Sequence, residues 1–444
     1  MSELNHIYKK ENNYYIVDGD NLSIYKLPDT MNEELDKCSK EKLENDIKQT
    51  CLKKCETYEV KNKQEKNICN RLIITLSNYC NLECKYCYAC GGSYQKESAG
   101  NMSLDTLKNT IEGVLKLYPD GIDMIQFFGG EPLMNKSVLV DGVVYIDQYF
   151  KEKGIKRPHF TIVTNGTLID EEMIELFDTY FDSVTISLDG EKAINDQSRV
   201  FHGSDKSVYD TVIHTIQKMN RTRKYFLCIE ITVTPYHIKD YLEKGTISSL
   251  TPLKNLQADS FEISPVFHKD KKEYQMQILD MELVKSFFEE WVKESFDNTS
   301  DLKGKYHLLG GILTAITKKE YCGNNCGAVV SDVAVDVNGD MYPCFMFIGF
   351  ERYIIGNVNS LVKDEYDEKN LNLREYLSKA NENEDCLKCW SRKLCANSYG
   401  HCIGSRLLFH GNVDKPIPFA CEIGKAVIER SIVELSKTIG EENG

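Results

Sequence analysis

The apolar and polar positions of this chain alternate between two kinds of segment. Short runs of β-branched and apolar residues, apolar on both faces, predict strands at residues 72–76, 124–128, 160–163, 184–187, 226–233 and 261–264. Amphipathic stretches lie between them, as at residues 104–115 after Ser103, a suitable N-cap. Strands that are apolar on both faces and separated by helices are typical of a parallel sheet covered by helices. The pattern therefore predicts an α/β fold.

Six such units are too few for a complete eight-fold barrel, so either an open doubly wound sheet or a partial barrel is expected. Before them, residues 1–70 form a predicted separate module, with a hairpin that turns at residues 18–21 and then charged helical segments up to Lys66. The predicted core spans 71–270 and bridging helices span 271–321, with a packing stripe of Phe287, Phe288, Trp291 and Val292. Residues 322–444 are rich in cysteine and are expected to be irregular.

Charge and hydropathy exclude two classes of partner. Lys and Arg number 54 against 68 Asp and Glu, which gives a formal charge of −14 without any basic stripe, so nucleic acid is not expected to bind. The segment after Met1 lacks an apolar core, and no run of eighteen apolar residues occurs, so no membrane association is expected. A cytoplasmic location is the prediction that follows.

Seventeen cysteines depart from this ordinary composition. Their odd number and tight clusters favour metal ligation over a set of disulfides. Cys80, Cys84 and Cys87 directly follow the first core strand. Three thiolates on one loop can hold three corners of an iron–sulfur cubane and leave one iron open, whereas a structural zinc site needs four ligands, with Cys90 as the available fourth. The spacing alone leaves both kinds of site open.

Polar and glycine-rich segments follow the next three strands. They are the segments 128–132 (FGGEP), 164–167 (TNGT) and 187–190 (SLDG), with Arg199 downstream. Glycine lets the backbone approach a ligand, and the carboxyl ends of parallel strands meet at one edge of the sheet. Each segment alone would be interpreted as a turn. Together they predict a ligand site at that edge.

The cysteine loop, with Tyr86 before its last cysteine, resembles the signature of the radical S-adenosylmethionine (SAM) superfamily, and the strand-end segments match the superfamily's motifs in order. The resemblance implies a partial (β/α)6 TIM-like radical SAM barrel. It also implies that Cys80, Cys84 and Cys87 bind a 4Fe-4S cluster that activates SAM and so carry the catalysis. The residues implied to contact the cofactor are Tyr86, Gly129, Gly130, Glu131, Thr164, Asn165, Ser187, Asp189 and Arg199.

The C-terminal cysteines resemble a SPASM domain, which implies two auxiliary 4Fe-4S clusters and three clusters in all. The first set implied by the resemblance is Cys322, Cys326, Cys344 and Cys402, and the second is Cys386, Cys389, Cys395 and Cys421. The family has a cysteine where this chain has Tyr399, so the first cluster has either Cys402 as its fourth ligand or an open iron. A pair of zinc ribbons is the alternative for these eight thiols.

Several reactive residues have no predicted role in the site. The cysteines without a predicted ligand role are Cys38, Cys51, Cys55, Cys69, Cys90 and Cys228. Residues near strand ends that are expected to be packing or surface residues are His202, His237, His268, Tyr236 and Glu262.

Over residues 1–425 the chain resembles radical SAM/SPASM maturases that form thioether cross-links from cysteine in ribosomally made peptides, of the SCIFF, sactipeptide and ranthipeptide types. This implies an oxidoreductase of an anaerobic cytoplasm. Its partners would be a precursor peptide, whose leader a winged-helix-like module at residues 1–70 recognises, and an electron donor such as flavodoxin or ferredoxin. A capping subdomain is the alternative for residues 1–70. One alternative is an anaerobic sulfatase maturase, but those enzymes carry an aspartate that acts as a base at the position where this chain has Phe345. The other alternative is a non-catalytic electron carrier, but such a protein would have no use for the strand-end motifs.

Overall fold

The computed structural model describes residues 5–19, 22–27, 67–94, 100–268, 270–297, 305–318, 326–395 and 399–442. The strands are β1 (Asn5–Lys10), β2 (Asn13–Asp18), β3 (Ser23–Lys26), β4 (Ile68–Ser77), β5 (Gly121–Gly129), β6 (His159–Thr164), β7 (Ser183–Ser187), β8 (Phe226–Val233), β9 (Ser260–Pro265), β10 (Val333–Val335), β11 (Asp340–Tyr342) and β12 (Gly356–Asn357). The α-helices are α1 (Leu104–Leu117), α2 (Lys136–Lys153), α3 (Glu171–Tyr180), α4 (Lys192–Ser198), α5 (Val208–Met219), α6 (Pro235–Lys244), α7 (Met281–Phe296), α8 (His307–Lys318), α9 (Gly327–Val330), α10 (Lys363–Ser378), α11 (Glu384–Leu387), α12 (Arg392–Cys395), α13 (Ile403–His410) and α14 (Pro418–Glu442).

The central sheet confirms the predicted α/β fold. Strands β4 to β9 lie side by side in sequence order and are all parallel, and each contains one of the six predicted strands. Their carboxyl ends therefore share one edge, where the cysteine loop and the glycine-rich segments lie. Helix α1 begins as predicted, since the Ser103 hydroxyl caps it by accepting from the Thr106 amide at 3.0 Å.

The cysteine-rich tail is more regular than predicted. Strand β10 pairs in parallel with β4, so the tail extends the central sheet to nine strands in the order β12-β11-β10-β4-β5-β6-β7-β8-β9. The expectation of an irregular segment was wrong here because these strands have only two or three residues and depend on tertiary pairing, which joins β10 to β4, β11 to β10 and β12 to β11. The tail and the core therefore share one sheet.

The N-terminal strands form a separate antiparallel sheet in the order β1-β2-β3. The single predicted hairpin was incomplete. A second turn lies at Glu11 and Asn12, whose φ values of 48° and 64° suit a two-residue hairpin loop. The charged helical segments predicted up to Lys66 lie outside the described residues. The sheet packs on α7 and α14, to which Lys10–Glu289 (2.5 Å) and Glu11–Arg430 (2.7 Å) ion pairs connect it.

The predicted packing stripe on α7 is confirmed. Phe287, Phe288, Trp291 and Val292 are all fully buried, and the Trp291 ring meets Phe261 of β9 edge to face at 5.9 Å. Helix α14 packs along α7. None of the helices in the described ranges is long and apolar enough to cross a membrane.

Candidate functional site

The three-cysteine loop follows β4 directly, as predicted. Cys84 lies within electrostatic reach of both Cys80 and Cys87, and the Cys80 sulfur accepts from the Leu82 amide at 3.4 Å and from Asn165 Nδ2 at 3.8 Å. Burial raises the pKa of Cys80 to about 11 and that of Cys84 to about 12, although the charge of Arg199 opposes the shift at Cys84. Buried thiols with these pKa values become thiolates only when a metal replaces the proton. Soft sulfur donors on one loop fit an iron–sulfur cluster.

Gly129 and Gly130 allow the end of β5 to lie against this loop. A Cβ on Gly130 would be 2.6 Å from the Tyr79 carbonyl oxygen, and one on Gly129, where φ is 148°, would be 2.4 Å from that of Ser77. The Gly130 amide donates to Ser77 O and the Glu131 amide to Tyr79 O, both at 2.8 Å. The two glycines thus have a packing role, in addition to the predicted cofactor contact.

Glu131 connects the ends of β5 and β6. Its buried carboxylate accepts from the Leu133 amide at 2.9 Å, the Thr164 hydroxyl at 2.7 Å and the Asn165 amide at 2.7 Å. Burial raises the pKa of Glu131 to about 6 in spite of these three donors. The structure therefore brings the predicted residues Glu131, Thr164 and Asn165 together, with the carboxylate positioning the other two. Cofactor contact by these residues stays a prediction.

Tyr86, Asp189 and Arg199 form a second buried network beside Cys84. Asp189 accepts from Arg199 Nε at 3.0 Å, from the Tyr86 hydroxyl and from the Thr232 amide at 2.9 Å. This network ties the cysteine loop to the segment that follows β7, which ends at the predicted residue Ser187.

His237 is buried, as expected for a packing residue, and it also supports Asp189. Its Nδ1 accepts from the Thr234 amide at 3.0 Å, which leaves Nε2 to donate to the Asp189 carbonyl oxygen at 2.5 Å. Burial lowers the pKa of His237, so the ring stays neutral.

Three of the four cysteines in the first predicted auxiliary set lie in the described residues, and the structure brings these three together. Cys326, Cys344 and Cys402 lie within electrostatic reach of one another, and burial raises the pKa of Cys326 to about 11 and that of Cys344 to about 12. The Arg71 guanidinium, which pairs with Asp332 at 2.7 Å, opposes both shifts. Cys322 lies outside the described residues.

Tyr399, the departure from the family pattern, points away from this group. Its hydroxyl donates to the Ile263 carbonyl oxygen at 2.5 Å and contacts the Tyr306 hydroxyl. Cys402 therefore lies with Cys326 and Cys344, and Tyr399 does not.

The second predicted auxiliary set surrounds one cavity of about 400 Å³. Cys386, Cys389, Cys395 and Cys421 all line it, together with Arg406. Arg406 is 1% exposed, its Nη2 lies 3.9 Å from the Cys386 sulfur, and its Nε makes no hydrogen bond to any described residue. A buried cation beside four thiols fits an anionic iron–sulfur cluster, whose potential such charges tune.

Within the ranges that the structure describes, no three His, Cys, Asp or Glu side chains converge closely enough to bind a single metal ion. The thiols of each group are near one another without forming a one-ion site.

The structure adds residues to the site that the sequence analysis missed. Tyr88 lies within electrostatic reach of Cys87, Cys344 and Glu230, and so marks the space between the first two cysteine groups. Arg71 and Arg406 face the auxiliary sets. Glu230 and Arg71 could have been noticed in the sequence only as charged residues within apolar strands. No pattern in the neighbouring sequence distinguished Tyr88 or Arg406.

The chain is similar in sequence to known proteins. The model of the radical SAM superfamily matches residues 74–244. The cysteine-type anaerobic sulfatase-maturating enzyme of Clostridium perfringens is 26% identical over 383 residues, which are 82% of this chain and 96% of that enzyme.

Two solved structures share the fold. The structure of anSMEcpe with bound AdoMet and Cp18Cys peptide is 21% identical with a TM-score of 0.65, over 84% of this chain and 99% of the other. Streptococcus suis SuiB bound to its precursor peptide SuiA is 16% identical with a TM-score of 0.51, over 92% and 96% of the two chains. A radical SAM domain implies a 4Fe-4S cluster and SAM. Residues 74–244 thus match the radical SAM superfamily, and most of the chain is similar to a cysteine-type anaerobic sulfatase-maturating enzyme.

Proposed function

We propose that this radical SAM enzyme oxidatively modifies a ribosomally made peptide by forming thioether cross-links from cysteine. The observation that carries the proposal is the pair of further cysteine groups, one of them around a cavity of about 400 Å³, on a tail that shares the sheet of the radical SAM domain. Two additional 4Fe-4S clusters in these groups, three in all, would accept the second electron that an oxidation releases.

The residues of the site have separate tasks in this proposal. Cys80, Cys84 and Cys87 would hold the first cluster, which together with SAM supplies a hydrogen-abstracting 5′-deoxyadenosyl radical when bound. The Tyr86–Asp189–Arg199 network fixes the cysteine loop against the sheet.

Phe345 favours thioether formation over formylglycine formation. Its ring lies 4.6 Å from that of Phe128 and 6.5 Å from that of Tyr88, so aromatic side chains fill the place of the aspartate expected in a sulfatase maturase. Formylglycine formation is the second candidate, supported by the 26% identity that extends over 96% of the Clostridium perfringens enzyme.

Peptide recognition is proposed for residues 1–70. In the described part of this module, β3 lies at one edge of its sheet and could accept a leader peptide as an added strand. The complexes of anSMEcpe and SuiB with peptides support a peptide substrate. Flavodoxin or ferredoxin in an anaerobic cytoplasm is the proposed source of electrons.

The test is anaerobic incubation of the reconstituted protein with reductant, SAM and a cysteine-containing peptide encoded beside its gene. Mass spectrometry should show the loss of two hydrogens per cross-link, together with 5′-deoxyadenosine, and the Cys84→Ala variant should give neither. Loss of the cysteine sulfur would instead identify formylglycine. Absence of 5′-deoxyadenosine with the wild-type protein would refute both candidates.

A further inference from the structure

Two glutamates of neighbouring strands face the same space. Glu230 of β8 and Glu262 of β9 are paired in register, and paired residues of parallel strands project from the same face. Their neighbours Ile229, Ile231 and Ile263 are buried and occupy the opposite face. Glu230 is half-buried and Glu262 is exposed, so the pair lies where a substrate can reach it.

The surroundings of Glu230 place it between the cofactor site and the tail. The Ser187 hydroxyl hydrogen-bonds to its carboxylate, and Arg199 and Asp189 act on it electrostatically. Tyr88 lies within reach of the charge of Glu230 and also of Cys87 and Cys344. A peptide that bridges the radical and the first auxiliary group would therefore pass Glu230.

Glu262 extends the pair toward the tail. Its charge acts on the hydroxyl groups of Tyr399 and Tyr306, which contact each other. The carboxylate pair thus lies between residues of the radical SAM domain and residues of the cysteine-rich tail.

The charged groups around Glu230 shift the pKa of its carboxyl group. Burial and the charge of Glu262 raise the pKa of Glu230 to about 7, Asp189 adds to the shift, and Arg199 opposes it. The half-buried Cys228 thiol on the same strand is also nearby, and Tyr88 faces Glu230 from the cysteine loop. A carboxylate that gains and loses a proton near neutral pH suits general base catalysis.

We propose that Glu230 accepts the proton that the peptide loses during its oxidation, and that Glu262 sets the proton affinity of Glu230. The proposal rests on the proposed function. Two hydrogens leave the peptide when a C–S bond replaces a C–H and an S–H bond. One would leave carbon as a hydrogen atom, which the chemistry supplied by bound SAM and its cluster would accept. The other would leave sulfur as a proton to Glu230, and the remaining electron would pass to a cluster held by the auxiliary cysteines.

The test compares Glu230→Gln with the wild-type holoenzyme, using peptide deuterated at the reacting carbon. The variant should still transfer deuterium into 5′-deoxyadenosine but form cross-linked product about 100-fold more slowly, the usual scale of a lost general base. The matched control, Glu282→Gln on the exposed start of α7, should behave as the wild type. Product formation by the wild type should rise with pH through neutrality, and this dependence should be absent in Glu230→Gln.

A second measurement is independent of turnover. In infrared spectra of the reconstituted protein before SAM is added, a carboxyl band with a midpoint near pH 7 should be present in the wild type and absent from Glu230→Gln, while the band of Glu131, whose pKa is about 6, should remain in both. In Glu262→Gln the midpoint of the Glu230 band should move to lower pH, because the charge of Glu262 raises the pKa of Glu230.

An unchanged product rate in Glu230→Gln would overturn the proposal while leaving the proposed function intact. If that variant does not fold, an unmoved midpoint in Glu262→Gln would overturn it instead. Failure of the wild type to modify any cysteine peptide would refute the proposed function, and the base assignment with it.

Discussion

Removal of the Arg406 charge should lower the reduction potential of one cluster. In the Arg406→Met variant a side chain of similar reach replaces a buried guanidinium whose Nη2 lies 3.9 Å from the Cys386 sulfur. Added electrons make an iron–sulfur cluster more negative, so a nearby cation stabilises the reduced state. Loss of the cation therefore makes reduction harder.

The distance sets the size of the effect. Two unit charges 3.9 Å apart, with an effective dielectric constant of about 20, interact by about 4 kcal/mol. For a one-electron couple, where about 59 mV corresponds to about 1.4 kcal/mol, this is an upper limit of about 180 mV. The added electron spreads over the cluster and does not rest on one sulfur, so a fall of about 100 mV is expected.

The assay is a redox titration of the reconstituted protein followed by electron paramagnetic resonance. Arg406→Lys keeps the charge and should shift the potential by less than about 60 mV. Arg392→Met, at a half-buried position on the same cavity, tests whether any nearby arginine has the same effect. An Arg406→Met protein with full iron content and all its potentials within about 30 mV of the wild type would refute the reasoning.

Three further sets of substitutions test the radical SAM cysteines, the first auxiliary group and the N-terminal sheet separately. Cys84→Ala should abolish 5′-deoxyadenosine release, whereas the exposed Cys90 should be replaceable by alanine without this loss. Cys402→Ala should reduce the iron bound per chain while Tyr399→Phe should not, because only Cys402 lies with Cys326 and Cys344; equal iron contents would contradict this arrangement. His6→Ala removes a ring stacked on Trp390 at 4.1 Å and a hydrogen bond to Glu429 at 2.7 Å, together worth about 1–2 kcal/mol, so hydrogen exchange of the β1 amides should be about tenfold faster.

The central sheet was predictable because its strands are rich in β-branched and apolar residues and alternate with amphipathic helices. The expectation that every strand is buried on both faces was wrong for β7, β8 and β9, where buried positions alternate with half-buried or exposed ones. Strands β10 to β12 were not, since two- or three-residue strands carry no periodic pattern and depend on tertiary pairing. Similarly, the order of the strand-end motifs predicted which residues meet at one edge, because parallel strands place their carboxyl ends together.

The cysteine groups were predictable from spacing, but the residues that face them were not. Arg71 meets Asp332 across 261 residues of sequence, and Arg406 approaches Cys386 from a separate helix, α13. Such contacts depend on how the tail folds back on the sheet, which no local pattern encodes. The Glu230–Glu262 pair needed the register of β8 and β9, and a shift of one residue would place the two carboxylates on opposite faces.

The three arginines near the cysteine groups differ in whether an acidic side chain neutralises them. This difference predicts the order of the reduction potentials of the proposed clusters. Arg199 beside Cys84 is paired with Asp189 at 3.0 Å, and Arg71 beside Cys344 is paired with Asp332 at 2.7 Å. Arg406 instead bonds to the Ala380 and Gly400 carbonyl oxygens, at 2.9 and 3.0 Å.

The acidic residues around the cavity do not neutralise Arg406. Glu382 and Asp385 are exposed, and Glu422 pairs with Lys425. An arginine stays charged under all conditions of interest, so the second auxiliary group keeps more uncompensated positive charge than the other two. The cluster proposed there should therefore have the highest potential of the three. Electrons removed from the peptide would then move away from the radical SAM cluster and toward the cavity beside Arg406.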